Sequence, residues 1–342
     1  MQKYLHLQQQ NFNKMSNKIK AGIVGGAGYT GGELLRILIN HPQVDIDYIY
    51  STSNAGNPLH QVHKDLIGET DLYFSNDLKK VDVLFLCLPH GKSHVFLKDN
   101  NISDDTKIID LSTDFRHDIK DFSSDKSGFV YGLPEWQKEK IKTATKIANP
   151  GCFATAIQMA LLPLAADKKL NNSVHVSAVT GSTGAGRVPT EFSHFSWRNN
   201  NISVYKQFSH QHLFEIKATM KHIQGEFEQA VNFIPYRGNF SRGILASVYS
   251  EFSGTETEAK ELYTTYYKNH PFVHFVDKNL DLKQVVNTNK CVLQVEVHEG
   301  QIFIMSAIDN LLKGASGQAV QNMNLMFGLE EKTGLNLKTL GY

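Results

Sequence analysis

The sequence has few cysteines: Cys87, Cys152 and Cys291 are all that 342 residues contain, and they are far apart and odd in number. That excludes a disulfide framework and a CxxC-type metal site. It fits a reducing compartment, where cysteine chemistry belongs to a single thiol. Charge of one sign is also missing, with 35 Lys+Arg against 34 Asp+Glu, so neither a basic field for nucleic acid nor an acidic disordered tract is present. The longest apolar run, Met159 to Ala166, is too short for a membrane span and carries Pro163. No internal repeat and no low-complexity linker is visible. What remains is a globular chain, long enough for two domains and expected in the cytoplasm. Residues 1–17, polar and glutamine-rich, are expected to be a disordered extension ahead of a fold that begins near Lys18.

The first half has the pattern of a dinucleotide-binding domain. The apolar run Ile19 to Val24 leads directly into Gly25-Gly26-Ala27-Gly28-Tyr29-Thr30-Gly31-Gly32 and then a helical pattern from Glu33. Gly25, Gly28 and Gly31 let the backbone turn sharply and approach a pyrophosphate closely, with Tyr29 and Thr30 at the helix start, where amide groups favour the anion. A second strand, Val44 to Tyr50, follows at the spacing of a βαβ unit. It ends in Ser51-Thr52-Ser53-Asn54 and not in a carboxylate. Hydroxyls at Ser51 and Ser53 suit a 2′-phosphate, which favours NADP over NAD. Further buried strands are expected at Asp82 to Leu88 and Lys107 to Leu111. Pro89 and Ser112 to Arg116 then stand at the carboxyl ends of strands, where open α/β sheets bind ligands.

Asn149-Pro150-Gly151-Cys152 is a turn that opens an apolar helix, so Cys152 falls in a first helical turn. The dipole and the unpaired amides there are expected to make its thiol more acidic than a free cysteine, as a nucleophile requires. Cys87 and Cys291 lie in apolar strands and read as core. A thiolate beside a nicotinamide site implies acyl chemistry coupled to hydride transfer, which needs a proton shuttle. His210-Gln211-His212 with Glu215 concentrates two imidazoles and a carboxylate before a helix. No other cluster has spacing to match it, so no metal site is expected.

Together, NPGCFAT at 149–155, the glycine turn and its helix, VTGSTGAGR at 179–187, HQHLFEI at 210–216 and DNLLKGASGQAVQNMN at 309–324 resemble the N-acetyl-γ-glutamyl-phosphate reductases of arginine biosynthesis. The resemblance spans about 18–342. It implies a fold shared with aspartate-semialdehyde dehydrogenase and glyceraldehyde-3-phosphate dehydrogenase, NADPH as reductant, and a homodimer or homotetramer. It implies Cys152 as nucleophile and a histidine of the pair as acid/base; His210 is the choice, with His212 orienting substrate. Arg116, Arg187 and Arg242, with Ser112, are the candidates to bind the phosphate and α-carboxylate of a small acyl phosphate. Two departures from the family pattern stand out: Gln211 between the histidines, and Tyr236 where a histidine is common. Both bear on the substrate's acyl group more than on the reaction.

The second half reads as strands in runs, at 173–179, 229–234, 243–248, 292–297 (with clean alternation) and 302–305, and a helix at about 256–269. This suggests a mixed or antiparallel sheet. A last helix, Gly314 to Phe327, carries an apolar face of Ala315, Ala319, Met323 and Met326, and the resemblance implies that it returns to the first domain. The expected class is therefore α/β: a Rossmann domain from 18–149 and 314–342, and an α+β catalytic and oligomerisation domain from 150–313. The competing readings are aspartate-semialdehyde dehydrogenase and a non-catalytic NADP(H) sensor.

Overall fold

The computed structural model describes residues 18–116 and 128–341, so the extension expected over 1–17 lies outside the described residues. The first sheet has seven strands in the order β3-β2-β1-β4-β5-β7-β6. These are β1 (Ile19–Val24), β2 (Val44–Tyr50), β3 (Phe74–Ser75), β4 (Val83–Leu86), β5 (Lys107–Asp110), β6 (Phe129–Tyr131) and β7 (Lys146–Ala148). Every pairing is parallel. The reason is visible in Val83-Leu84-Phe85-Leu86, all four buried, since a strand covered by helices on both faces has no polar side to show.

The glycine turn between β1 and the helix Tyr29–Leu38 depends on backbone geometry. Gly25 has φ +79°, and a Cβ there would lie 2.5 Å from the Cys87 carbonyl oxygen. A Cβ on Gly31 would lie 2.6 Å from Gly26 Cα, so this glycine lets the helix pack on the turn.

The second sheet has the order β12-β13-β14-β11-β8-β10-β9, with β8 (Val174–Thr180), β9 (Ser203–Val204), β10 (Val231–Arg237), β11 (Ile244–Glu251), β12 (Val273–Phe275), β13 (Cys291–His298) and β14 (Gln301–Ile308). The pairs β8/β10 and β12/β13 are parallel and the rest antiparallel, which makes the sheet mixed. The alternation expected along β13 is absent: Cys291 to Val295 are all buried. One side of β13 faces the helix Glu256–Tyr267, and Val292, on the other side, packs in a small cluster with Leu280, Val285 and Ala307.

The helix Cys152–Ala166 is the centre of the molecule, buried from Phe153 to Ala165 and packed on the helix His212–Gln224, β11 and β14. Pro163 has no N–H to give the Met159 carbonyl; the Tyr267 hydroxyl donates to it instead at 2.6 Å. The final helix also differs from expectation. Leu312–Ser316 is a π-helical turn, the α-helix proper is Gly317–Met326, and it is buried on all sides. Its polar residues are therefore interior. Gln318 Nε2 donates to Thr155 Oγ1 (3.1 Å), and Asn322 Nδ2 to the Gly132 carbonyl (2.9 Å) and Asn149 Oδ1 (3.1 Å). Lys313, fully buried, pairs with Glu135 at 2.7 Å, outweighing the upward effect of burial and holding that carboxyl below its ordinary range. The helix packs on the helices Pro134–Thr143 and Tyr29–Leu38, so the chain end closes on the parallel sheet.

Candidate active site

The Cys152 helix starts at Gly151, which caps it without a side-chain bond. The first helical hydrogen bond is Thr155 N–H to Gly151 O at 2.8 Å. The amides of Cys152, Phe153 and Ala154 are thus outside the helical ladder and available to an anion. Cys152 packs against the π-turn, where a Cβ on Gly314 would lie 2.8 Å from Cys152 Cβ. A side chain on Gly151 would overlap the His212 ring. These two glycines let the turn before the thiol, the histidine helix and the chain's last helical segment meet.

Glu215 is the hub of the site, with its side chain 1% exposed. Its carboxylate accepts from Gly151 N–H (2.9 Å), Tyr131 O–H (2.8 Å) and Arg116 Nη1 (3.3 Å), and Oε1 lies 3.9 Å from His212 Nε2. Arg116 also donates from Nε to the Asn149 carbonyl (2.7 Å) and from Nη2 to the Leu111 carbonyl (2.8 Å). Among the described residues these bonds use three of its five N–H groups. One ion pair therefore fixes the loop after β5, the turn before Cys152 and the histidine helix relative to one another. The sequence grouped Glu215 with the two histidines, one helical turn beyond His212 and on its face, but gave no sign of its pairing with Arg116.

Two chemical expectations are corrected. Burial pushes the Cys152 thiol up to about 11; the Phe153 N–H and the Arg116 charge act in the expected direction but are outweighed. The His210 ring is enclosed by Phe153, Tyr205 and Phe233 at centroid distances of 5.4, 5.8 and 5.5 Å. Burial, with the neighbouring His212, pushes its pKa down to about 3. Its Nδ1 accepts the His212 backbone N–H at 3.2 Å, which puts the proton of the neutral ring on Nε2. That ring is a donor; it lacks the free lone pair a base needs.

Other predicted residues divide. Arg242 is bound by two carboxylates, Glu33 at 2.6 and 3.0 Å and Asp309 at 3.0 and 3.2 Å, so it ties the glycine-turn helix to the end of β14 and has no charge left for a substrate. Ser112 is buried, donating to Asp110 Oδ2 (2.7 Å) and accepting from Asp114 N–H (3.0 Å), and so shapes its loop instead of facing a ligand. Arg187 lies on the cofactor side, with Nη1 donating to the Ala27 carbonyl of the glycine turn at 2.8 Å. Pro89 opens a loop that Asp114 clamps through the Gly91 and His94 amides at 2.5 and 3.0 Å. Cys87 and Cys291 are buried, with thiols pushed up to about 12 by burial. Among the described residues no cluster of His, Cys, Asp or Glu has a geometry for a metal.

Gly28 shows that the glycine turn fits a dinucleotide. Its φ is −81°, and a Cβ there would meet only Gly25 O, at 3.6 Å. Nothing in the fold requires glycine at this helix start. A phosphate lying against the amides does, because a methyl group would fill the space it needs. At the end of β2, Asn54 Nδ2 donates to Ser51 Oγ (3.2 Å) and Ser53 Oγ (3.0 Å), leaving both hydroxyl hydrogens available to an acceptor, with no carboxylate beside them.

Known proteins agree with this geometry. A family model described as "Semialdehyde dehydrogenase, NAD binding domain" matches residues 20–144, and "Semialdehyde dehydrogenase, dimerisation domain" matches 152–310. N-acetyl-gamma-glutamyl-phosphate reductase of Christiangramia forsetii is 57% identical over 325 residues, 95% of this chain and 99% of its own length. The reductase of the same name from Bacteroides thetaiotaomicron is 55% identical over 94% of this chain and 98% of its own. The fold resembles that of aspartate semialdehyde dehydrogenase II of Vibrio cholerae, with a TM-score of 0.71 at 15% identity, covering 92% of this chain and 99% of that one. Aspartate semialdehyde dehydrogenase of Candida albicans, solved with NADP, gives 0.68 at 14% identity over 90% and 98% of the two chains. With a model matching each half and relatives above half identity over nearly its whole length, the chain belongs to the semialdehyde dehydrogenase family, among its N-acetyl-gamma-glutamyl-phosphate reductases.

Proposed function

We propose that this chain reduces the acyl phosphate of an N-acylated glutamate, the N-acetyl form in the name its relatives bear, to the 5-semialdehyde with release of phosphate, using NADPH. The observation that carries the reading is the position of Cys152. It stands at a helix N-terminus, held by the Arg116–Glu215 pair and against the final helical segment, beside the carboxyl ends of a parallel sheet that carries a dinucleotide turn.

In the first step the Cys152 thiol loses its proton and Sγ attacks the γ-carbonyl carbon. A thioester C–S bond forms, the C–O bond to phosphate breaks, and phosphate leaves with that electron pair. The amides of Cys152 to Ala154 hold the developing oxyanion. With burial keeping the free thiol protonated, a base must act together with the attack, and His212 takes that role in place of His210 because its ring lies against Gly151 and beside Glu215. His210, neutral with its proton on Nε2, donates a hydrogen bond to substrate. Gly25, Gly28, Tyr29, Thr30, Gly31, Ser51, Ser53 and Pro89 would hold NADPH, which would supply the hydride that reduces the thioester. The proton that His212 took from Cys152 goes to the oxygen that the hydride leaves negative, and His212 takes it back as the C–S bond breaks, the carbonyl forms and Cys152 departs as thiolate. Arg116 offers its guanidinium charge to the phosphate.

The same reading divides the chain into a cofactor domain, 18–149 with 314–342, and a catalytic domain over 150–313, acting in the cytoplasm as a homodimer or homotetramer. The test is phosphate-dependent NADP⁺ reduction with each semialdehyde. Turnover of N-acylglutamate semialdehyde that Cys152→Ser abolishes is expected; turnover of aspartate semialdehyde alone would overturn the assignment.

A further inference from the structure

Between β14 and the final helix, the π-helical turn Leu312–Ser316 is wound wider than an α-turn. Gly314 N–H reaches back to the Asp309 carbonyl and Ser316 N–H to the Leu311 carbonyl, both at 2.9 Å. Its last three residues each touch a different part of the site. Gly314 lies against Cys152, where a Cβ would come 2.8 Å from the Cys152 Cβ and 3.2 Å from its Cα. The Ala315 carbonyl accepts from Asn149 Nδ2 (3.1 Å), in the turn before the thiol. Ser316 Oγ donates to the Thr30 carbonyl (2.8 Å), in the first turn of the helix that follows the glycine turn. A π-turn holds one residue more than an α-turn. Closing it would swing Ser316 and the helix after it by about 100° and take Ser316 off Thr30.

Lys313 anchors this turn. Its Nζ, fully buried, donates to Glu135 Oε1 (2.7 Å) and to Gln321 Oε1 (2.8 Å). Glu135 stands on the helix Pro134–Thr143 and Gln321 on the final helix, so one ammonium ties the turn to both. Stability alone does not call for such a pair, because apolar side chains of similar volume serve a core as well or better. What the pair adds is direction: two buried acceptors must be met at once, which fixes where the Lys313 backbone can lie. With Nζ engaged by these partners, the influence of Lys313 on Cys152 passes through the backbone of the turn. The turn therefore joins the support of the thiol to the support of the dinucleotide, and Lys313 and Ser316 hold its two ends.

We infer that the π-turn sets the separation between the Cys152 thiol and the glycine turn, with Lys313 and Ser316 as positioning residues for hydride transfer. This rests on the reaction proposed above, in which a hydride passes between a carbon held on Cys152 and the nicotinamide. A misplacement of about 1 Å there costs on the order of a hundredfold in rate. The test uses Ser316→Ala and Lys313→Met combined with Glu135→Leu, an apolar replacement that strands no charge and should keep Tm. In the cofactor-free protein, timed iodoacetamide with peptide mapping should find Cys152 alkylated faster in the double variant, with Cys87 and Cys291 as protected as before. With phosphate withheld, N-acetylglutamate 5-semialdehyde and NADP⁺ should give a burst of NADPH as Cys152 is acylated, and stopped-flow absorbance reads its rate constant and amplitude separately. Both variants should keep the amplitude and lose about tenfold in rate constant, and deuterium on the aldehyde carbon should slow their burst further. A burst whose amplitude falls at an unchanged rate constant reports lost folded enzyme and overturns the inference. So does a slowed burst that is insensitive to deuterium, or alkylation that rises equally at all three cysteines. An unchanged burst in Ser316→Ala overturns it too, and decides the matter if the double variant does not fold. No burst in the unaltered enzyme with either this semialdehyde or aspartate semialdehyde overturns the reaction, and the inference with it. A burst with aspartate semialdehyde alone overturns only the substrate, and the variants are then compared on that substrate.

Discussion

Glu215 and Arg116 are a buried ion pair whose two halves should affect stability alike and Cys152 in opposite ways. Their side chains are 1% and 4% exposed. Every partner of Glu215 that donates (Gly151 N–H, Tyr131 O–H and Arg116 Nη1) needs an acceptor. In Glu215→Gln one carboxylate oxygen becomes an NH₂ group that faces donors, and Arg116 loses its countercharge. Breaking one side of a buried pair costs about 3–5 kcal/mol. Two backbone carbonyls still hold Arg116, which favours the lower end of that range, a fall in Tm on the order of 5 °C. Arg116→Met should cost a similar amount by stranding Glu215. The thiol separates them: Glu215 raises the Cys152 pKa and Arg116 lowers it. At a fixed pH near 8, iodoacetamide should therefore alkylate Cys152 faster in Glu215→Gln and slower in Arg116→Met. Calorimetry and timed alkylation with peptide mapping read both effects. If the two variants change the alkylation rate in the same direction, or neither lowers Tm, the hub described here is wrong.

Three further outcomes follow from the same geometry. Gly25→Ala should destabilise the fold strongly, because of φ +79° and the Cys87 carbonyl, whereas Gly28→Ala should change Tm little and raise KM for NADPH; equal effects on Tm and KM in the two would contradict the roles given to these glycines. With the thiol pushed up to about 11, alkylation of Cys152 in the ligand-free protein should keep rising about tenfold per pH unit between pH 7 and 9, and a plateau below pH 8 would contradict this. The folded pKa of His210, about 3, lies below its ordinary 6.5. The unfolded chain therefore takes up a proton at pH 6.5 and below that the folded chain refuses, so this stability is whole above 6.5 and falls toward pH 3 by about 1.4 kcal/mol per unit. His210→Gln should reduce the loss measured by urea unfolding between pH 7 and pH 5 by about 2 kcal/mol, and an unchanged loss would refute the burial argument.

Much of the fold was legible because it depends on local pattern. Ile19–Val24 and Val44–Tyr50 have the bounds that their apolar runs gave, and Cys152 is the first residue of its helix because a Pro-Gly turn precedes it. Pattern failed where burial on both sides removed the contrast between faces, as along Cys291 to Val295 and in the final helix, whose Gln318, Asn322 and Asn324 look like surface residues until their partners are known. In the site, sequence distance concealed the partners. Arg116 and Glu215 are 99 residues apart, and Arg242 and Glu33 are 209 apart, so no spacing could reveal that the first pair organises the site or that the second removes Arg242 from it. The acidity expected of Cys152 failed for a related reason: the helix start is visible in the sequence, but the enclosure of the thiol is not.

The central claim is that the reaction passes through an acyl group on Cys152. Acid quenching of the enzyme during turnover with N-acylglutamate semialdehyde and NADP⁺ with phosphate withheld, followed by mass spectrometry of its peptides, tests this most directly. The account predicts an N-acylglutamyl thioester on the peptide that begins its helix at Cys152, lost on adding phosphate and absent from Cys152→Ser. Phosphate-dependent turnover that persists in Cys152→Ser, or an adduct on any other residue, would contradict it.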